Sequence, residues 1–262
     1  MNLVVSTVFV FILGTIFGSF LNVVIYRLPQ RLSIVRPGSR CPHCLTPIQP
    51  YDNIPLVSFL ILRGRCRTCR APISWRYPLV EAATGVLLAS LWVRFALSEG
   101  WVPFVAAAVF ALMLVAVFFI DLDHQIVPNA ITYPGLAIGL LLAIPQGRVV
   151  PSVLSALGAG AAFLLIAILS EAVMKREGMG GGDIKLAAMI GAFLNWPAVV
   201  VALMLAVTVG AIGGLALMAL RKRTRTDPIP FGPSLAVGGM VALFAADGIV
   251  RWYLNLFHLN VP

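Results

Sequence analysis

A glycine run carrying one acid, Gly178-Met179-Gly180-Gly181-Gly182-Asp183-Ile184-Lys185, falls between two strongly apolar stretches. Proline aside, glycine is the poorest helix former, so three in succession should break or unwind a helix there. A carboxylate on such a break, at or below a membrane surface, meets a low dielectric that favours its neutral form. An acid poised to hold or release a proton is what general acid–base chemistry requires. The partner the sequence offers is Asp121, which directly follows nineteen uncharged residues and opens Asp121-Leu122-Asp123-His124-Gln125-Ile126-Val127-Pro128-Asn129. Two carboxylates meeting in a partly dry site cannot both ionise easily, so their titrations couple and separate. One could then act as base toward a water while the other, protonated, polarises an amide carbonyl and later donates to the leaving amine. The plain alternative is a set of unrelated interfacial acids, with Asp121 and Asp123 capping a helix end and His124 merely solvated.

A second constellation is Cys41-Pro42-His43-Cys44 and Cys66-Arg67-Thr68-Cys69, which contain all four cysteines of the chain. Two C-x2-C pairs 21 residues apart fit a tetrahedral structural zinc site with Cys41, Cys44, Cys66 and Cys69 as thiolate ligands. Free thiols or disulfides are the alternatives, and a reducing compartment disfavours the latter. His43 reads as a knuckle residue rather than a ligand. A loop this short has too little core to fold alone, so a metal would supply its stability.

These residues need elements to place them. The chain has 262 residues, 60% hydrophobic and 11% charged, with a mean hydropathy of +0.97, which excludes a soluble globular domain. Apolar stretches at 3–26, 78–97, 102–120, 126–144 and 149–170 approach or reach the ~20 residues that cross a bilayer. The first is long for a cleaved signal and follows no positive charge, so it reads as a retained span. Residues 186–220 would be ~52 Å as one helix, too long for a ~30 Å core, and are interrupted at Asn195-Trp196-Pro197. Two crossings result, and the first is short unless the glycine run dips into the membrane, carrying Asp183 with it. A last span follows Pro230-Phe231-Gly232-Pro233, with Asp247 near its outer end. The expected fold is an all-α polytopic membrane protein of about eight transmembrane helices. A small four-cysteine, zinc-binding cytoplasmic subdomain lies between spans one and two. The expected organisation is a first span at 1–26, a basic zinc-knuckle subdomain at 27–77 and a seven-span core at 78–262. No internal repeat is apparent.

The net charge of +9 follows the positive-inside rule rather than marking a nucleic-acid partner. Nine of the 19 Lys and Arg lie between residues 27 and 76, and others flank the glycine run or cluster at 221–225. Placing these segments in the cytoplasm, against anionic lipid, puts the N-terminus outside. Asp121 then ends an inward-going span and Asp183 begins an outward-going one, so both lie near the cytoplasmic face. Pro128 disturbs the start of the following span, which can keep backbone polar groups open to a cavity. Gly18, Ser19 and Asn22 offer a small polar face for close helix packing. Glu81, one turn inside span two, reads as a hydrogen-bonding residue of the bundle.

Taken together, the chain resembles the type IV prepilin peptidases. The resemblance rests on residues 18–29, both cysteine knuckles and Asn53-Ile54-Pro55-Leu56. It extends through Arg76-Tyr77-Pro78-Leu79-Val80-Glu81, Asp121 to Pro128, Gly180 to Lys185 and Pro230-Phe231-Gly232-Pro233. It implies an intramembrane aspartic endopeptidase of the bacterial cytoplasmic membrane, cutting the basic leader from prepilins and pseudopilins on the cytoplasmic side. It further implies methylation of the new N-terminal amine with S-adenosylmethionine as donor. The family's catalytic aspartates map onto Asp121 and Asp183, with Gly180, Gly182 and Pro128 shaping the site, and its four cysteines onto Cys41, Cys44, Cys66 and Cys69. No residue is assigned to the donor. A transporter would also use acids on broken helices, and a presenilin-like protease would share Gly-x-Gly-Asp. The cysteine knuckles and basic first loop argue against the latter.

Overall fold

A computed structural model of the chain describes residues 2–174, 180–220 and 230–257, and the described residues are helical apart from turns and two isolated bridges. They form two compact units, Met1–Phe104 and Val105–Pro262.

In the first unit, helix α1 (Leu3–Arg27) is capped by Asn2, whose side chain accepts the Val4 N–H at 3.1 Å. After the loop and a short helix α2 (Val57–Ile61), helix α3 (Arg76–Leu91) continues through a π-helical turn, Trp92–Ala96. Helices α1 and α3 approach closely because glycines face each other. A Cβ on Gly14 would come within 2.7 Å of the Gly85 Cα, and one on Gly18 within 2.7 Å of the Glu81 Cα. Two polar side chains pair across this seam, as dry surroundings favour. Trp92 Nε1 donates to Ser6 Oγ at 3.2 Å, and Asn22 Nδ2 donates to the Tyr77 carbonyl at 3.2 Å. The small polar face expected at Gly18 and Asn22 is thus a helix seam.

The second unit holds α4 (Trp101–His124) from residue 105 on, α5 (Asn129–Ala143), α6 (Val149–Met174), α7 (Gly181–Phe193), α8 (Ala198–Ala219) and α9 (Gly232–Leu256). Helix α7 is the most enclosed, with Leu186, Ala187, Met189, Ile190, Gly191, Ala192 and Phe193 all buried. Glycines let its neighbours close on it. Gly135 and Gly139 of α5 face Met189 and Phe193, and Gly191 itself abuts the Ser155 carbonyl of α6. Phe110 of α4 stacks on Phe193 with ring centroids 4.9 Å apart.

Among the described residues six helices are long and apolar enough to cross a membrane, and α5 is a shorter apolar helix. The expected count of eight spans is not confirmed, since six helices among the described residues reach that length and α5 and α7 do not. Helix α5, of 15 residues, and α7, of 13, would reach only ~22 and ~20 Å. The expected span at 126–144 begins later, at Asn129, because Pro128 is its extended N-cap with ψ 130°. Helix α7 tolerates its shortness because protein rather than lipid surrounds it. The glycine run differs from expectation in one respect. Gly180 is extended and caps α7, but Gly181 and Gly182 are already helical, so Asp183 sits in a formed first turn. Gly178 and Met179 lie outside the described residues.

Candidate active site and metal centre

Asp121 lies in the last turn of α4, 4% exposed, and its Oδ2 has no hydrogen-bond partner among the described residues. A buried carboxylate oxygen without a partner is costly, and such groups are rare outside sites that bind or react. Asp183, half-buried in the first turn of α7, is near enough for the Asp121 charge to act on it. The structure thus brings together two acids that the sequence separates by 61 intervening residues. Asp123 and His124, which follow within the same turn, are exposed, as is Asp247 on α9.

The backbone around the pair is shaped by close approach. The chain leaves α4 through Gln125, whose N–H donates to the Asp121 carbonyl at 2.9 Å and whose φ is 55°. Val127 then packs against Gly182, where a Cβ would fall 2.9 Å from the Val127 Cβ. Helix α9 begins directly over Asp121. The Gly232 N–H approaches its carboxylate, and a Cβ on Gly232 would fall 2.6 Å from Oδ2. On the other side of Asp183, Lys185 Nζ donates to Asn129 Oδ1 at 2.9 Å and lies 5.3 Å from the Tyr133 ring centroid. That contact ties the first turn of α7 to the first turns of α5.

Sequence reasoning did not pick out Gly232, Val127, Asn129 or Tyr133 as parts of this neighbourhood. The only available signal for Gly232 was the run Pro230-Phe231-Gly232-Pro233 ahead of an apolar helix, which marks a fixed helix entry. Nothing in the spacing of Asn129 or Tyr133 reports a partner on α7.

In the first unit, the sulfurs of Cys41, Cys44, Cys66 and Cys69 all lie within 4.8 Å of one another, with Cys41 and Cys69 at 3.8 Å. A tetrahedron with Zn–S of about 2.3 Å puts its sulfurs about 3.8 Å apart, so the four thiols fit a metal ion. The same separation excludes a Cys41–Cys69 disulfide, whose sulfurs would be about 2 Å apart. His43 is exposed and outside the cluster. The two knuckles are built alike, a structural repeat offset by 25 residues that the sequence reading did not detect. Cys41 N–H donates to the Thr46 carbonyl and Cys66 N–H to that of Ala71, at 3.0 and 2.9 Å. Arg40 bridges Pro47 and Arg65 bridges Pro72, and Leu45 and Arg70 take positive φ of 58° and 60° at equivalent turns. Hydrogen bonds from the Thr46 hydroxyl and N–H hold the Cys44 thiol down at about 6. The Cys69 and Thr68 N–H groups lower that of Cys66. Donors aimed at sulfur favour the thiolate at Cys44 and Cys66, the form that ligates a metal, whereas desolvation and the neighbouring cysteines push the Cys69 thiol up to about 11 despite the Ala71 N–H.

The second knuckle is also fixed to the loop before it. Asp52 accepts two bonds from the Arg67 guanidinium, at 2.6 and 2.7 Å, and that partner holds its carboxyl below the usual range.

Residues 12–95 match the bacterial peptidase A24 N-terminal domain, and residues 108–215 match the type IV leader peptidase family. Among curated proteins, the chain is 43% identical to the prepilin leader peptidase/N-methyltransferase of Aeromonas hydrophila, over 95% of this chain and 93% of that one. It is 38% identical to the protein of that name from Pseudomonas aeruginosa, over 93% and 92% of the two chains. The Bacillus subtilis protein of that name is 35% identical, over 94% and 97%. No solved structure matches the chain.

Proposed function

The chain belongs to the type IV leader peptidase family, and from that premise we propose that it is an intramembrane aspartic endopeptidase that removes the leader of prepilins and pseudopilins and then N-methylates the new N-terminal residue. The observation that carries the reading is the buried, unpartnered Oδ2 of Asp121 in electrostatic reach of Asp183. In this reading one of the two carboxylates takes a proton from a water, whose oxygen attacks the scissile carbonyl carbon. The other, protonated, donates a hydrogen bond to the carbonyl oxygen. The tetrahedral intermediate then breaks its C–N bond as the leaving nitrogen accepts a proton from the pair. Gly180, Gly182 and Pro128 shape the site by setting where α7 and α5 begin. S-adenosylmethionine, when bound, supplies an electrophilic methyl group that the freed, deprotonated amine takes up.

The same reading makes residues 27–77 a zinc module and residues 78–262 the peptidase core, with zinc held by Cys41, Cys44, Cys66 and Cys69. Zinc there would fix the fold of the loop. The protein works in the bacterial cytoplasmic membrane with its N-terminus outside and its site facing the cytoplasm. The arginine-rich first loop supports that orientation. A cytoplasm-facing site at the bilayer edge meets a pilin precursor where its basic leader joins its apolar helix.

The test is incubation of the purified protein in detergent with a prepilin and S-adenosylmethionine, following leader release and the mass of the new N-terminus. Release of a leader and gain of one methyl group are expected. An intact substrate after incubation with folded, metal-loaded protein would overturn the reading, and ion flux in proteoliposomes would replace it with a transporter.

A further inference from the structure

The loop between α1 and α3 carries a short apolar helix that the proposed chemistry does not use. Helix α2 leaves Val57, Leu60 and Ile61 exposed, at positions i, i+3 and i+4, which form one face of a helix. The chain then reverses at Arg63 and Gly64, whose φ values are 52° and 66°. A Cβ at Gly64 would stand 3.0 Å from the Phe59 ring, so glycine suits this turn on both counts. The Ile73 N–H donates to the Gly64 carbonyl at 2.7 Å, and the returning segment lays Trp75 against Phe59 with ring centroids 4.8 Å apart. Trp75 is itself exposed and directly precedes α3.

The two spans of this unit fix the depth of that face. Helices α1 and α3 pack antiparallel, with Gly18 against Glu81 and Asn22 bonded to Tyr77. Arg27 at the end of α1 and Arg76 at the start of α3 therefore mark the same side of the membrane. Helix α2 is tied to that side at two heights. The N–H of Leu56, its N-cap, donates to Glu81, five residues inside α3, at 2.8 Å. Phe59 meets Trp75, one residue outside α3. At ~1.5 Å per helical residue, α2 lies within ~8 Å of the level of Arg76. That distance is about one polar layer of a bilayer. A groove of about 730 Å³ continues from residues 53–57 along the exposed side of α1, past Phe20, Ile16 and Ile12, so the face is continuous with a surface that lipid covers. Residues 53–76 contain five arginines and no acid.

An apolar helical face at the membrane boundary, an exposed tryptophan beside it and an excess of arginine around it are the features of an interfacial anchor. We propose that α2 and Trp75 dock in the leaflet where α1 ends and α3 begins, and that their partner is anionic phospholipid. Acyl chains cover Val57, Leu60 and Ile61, while Arg63 and its neighbours face lipid phosphates. Part of the first loop then belongs to the membrane, and the cysteine knuckles are held at its surface instead of hanging from two free tethers. The docking goes beyond the peptidase and methyl-transfer reading and does not depend on it.

The test uses the zinc-loaded full-length protein in vesicles of phosphatidylethanolamine and phosphatidylglycerol. The photoreactive residue p-benzoylphenylalanine is placed at position 60 or 61, the vesicles are irradiated, and the intact protein is weighed. Both positions should gain the mass of a phospholipid, as should position 165 on the exposed side of α6. Position 45, in the turn of the first knuckle, should not, although Leu45 is 67% exposed and Leu60 71%. Phosphatidylglycerol should be enriched in the adducts at 60 and 61 by about fivefold over its share of the vesicle, the worth of one arginine near a charged surface. Lipid captured at 165 but not at 60 or 61, equal capture at 45 and 60, or capture of a second protein chain at 60 overturns the docking. Adducts in proportion to the vesicle composition overturn the recognition of anionic lipid. If the substituted proteins do not fold, hydroxyl-radical footprinting of the wild type in the same vesicles decides. Leu60 should be oxidised severalfold less than Leu45, and equal oxidation of the two leucines overturns the docking.

Discussion

Asp121 owes its burial to a glycine. Helix α9 can begin over it only because Gly232 has no side chain, since a Cβ there would fall 2.6 Å from Oδ2. Gly232→Ala should therefore push the carboxylate aside. A misplacement of about 1 Å can cost ~10² in rate, so kcat/KM for leader release should fall about that far. Thermal unfolding of the variant in detergent separates this from global loss of fold. Asp123→Asn should retain cleavage within about twofold, because Asp123 is exposed and surface substitutions rarely matter more. A large loss there, in the same assay, would move the site by two residues. The sequence singles out Asp121 and Asp183 through their type and their placement against apolar runs. It left Gly232 illegible, because a close approach between residues 121 and 232 leaves no trace in local pattern.

At the scale of elements, α7 decides the second unit. It is too short to cross a bilayer by itself, yet its residues from Leu186 to Phe193 are nearly all buried. Its shortness could be read from the count of apolar residues after Asp183. Its enclosure could not, because an all-round apolar helix looks the same facing lipid or facing protein. Gly191→Val should be destabilising by about 1–3 kcal/mol, as overpacking against the α6 backbone at Ser155 demands a shift. The midpoint of thermal unfolding in detergent should drop accordingly, and an unchanged midpoint would mean the helices part easily. Lys185→Met removes the 2.9 Å bond to Asn129 and should lower kcat while leaving substrate KM within about threefold, as expected of a residue that positions α7. The cysteine knuckles were legible for a different reason. Metal ligation needs specific residues at fixed spacing, whereas helix packing needs only small ones. Removing the metal with a chelator should expose the segment between residues 40 and 73 to limited proteolysis, and restoring zinc should reverse it.

For the molecule as a whole, charge and hydropathy set membrane residence, and the structure supplies what lipid would cover. Leu154, Leu157, Leu165 and Leu169 on α6, with Met204, Val207 and Leu215 on α8, are large apolar side chains left exposed. All four cysteines lie in the first loop, so orientation can be read with a membrane-impermeant maleimide in the presence of chelator. Inverted vesicles should label and intact spheroplasts should not; the reverse would place the loop outside. The proposed function requires Asp121 and Asp183 to act as one unit. The most direct measurement is a double-mutant cycle on leader release, with Asp121→Asn, Asp183→Asn and the double variant compared at equal folded protein. Each single substitution should lower kcat/KM by roughly 10²–10⁴, the usual range for general acid–base groups, and the double should lose little more than either. Losses that multiply, or a single variant that cleaves at the wild-type rate, would show that the two acids work apart.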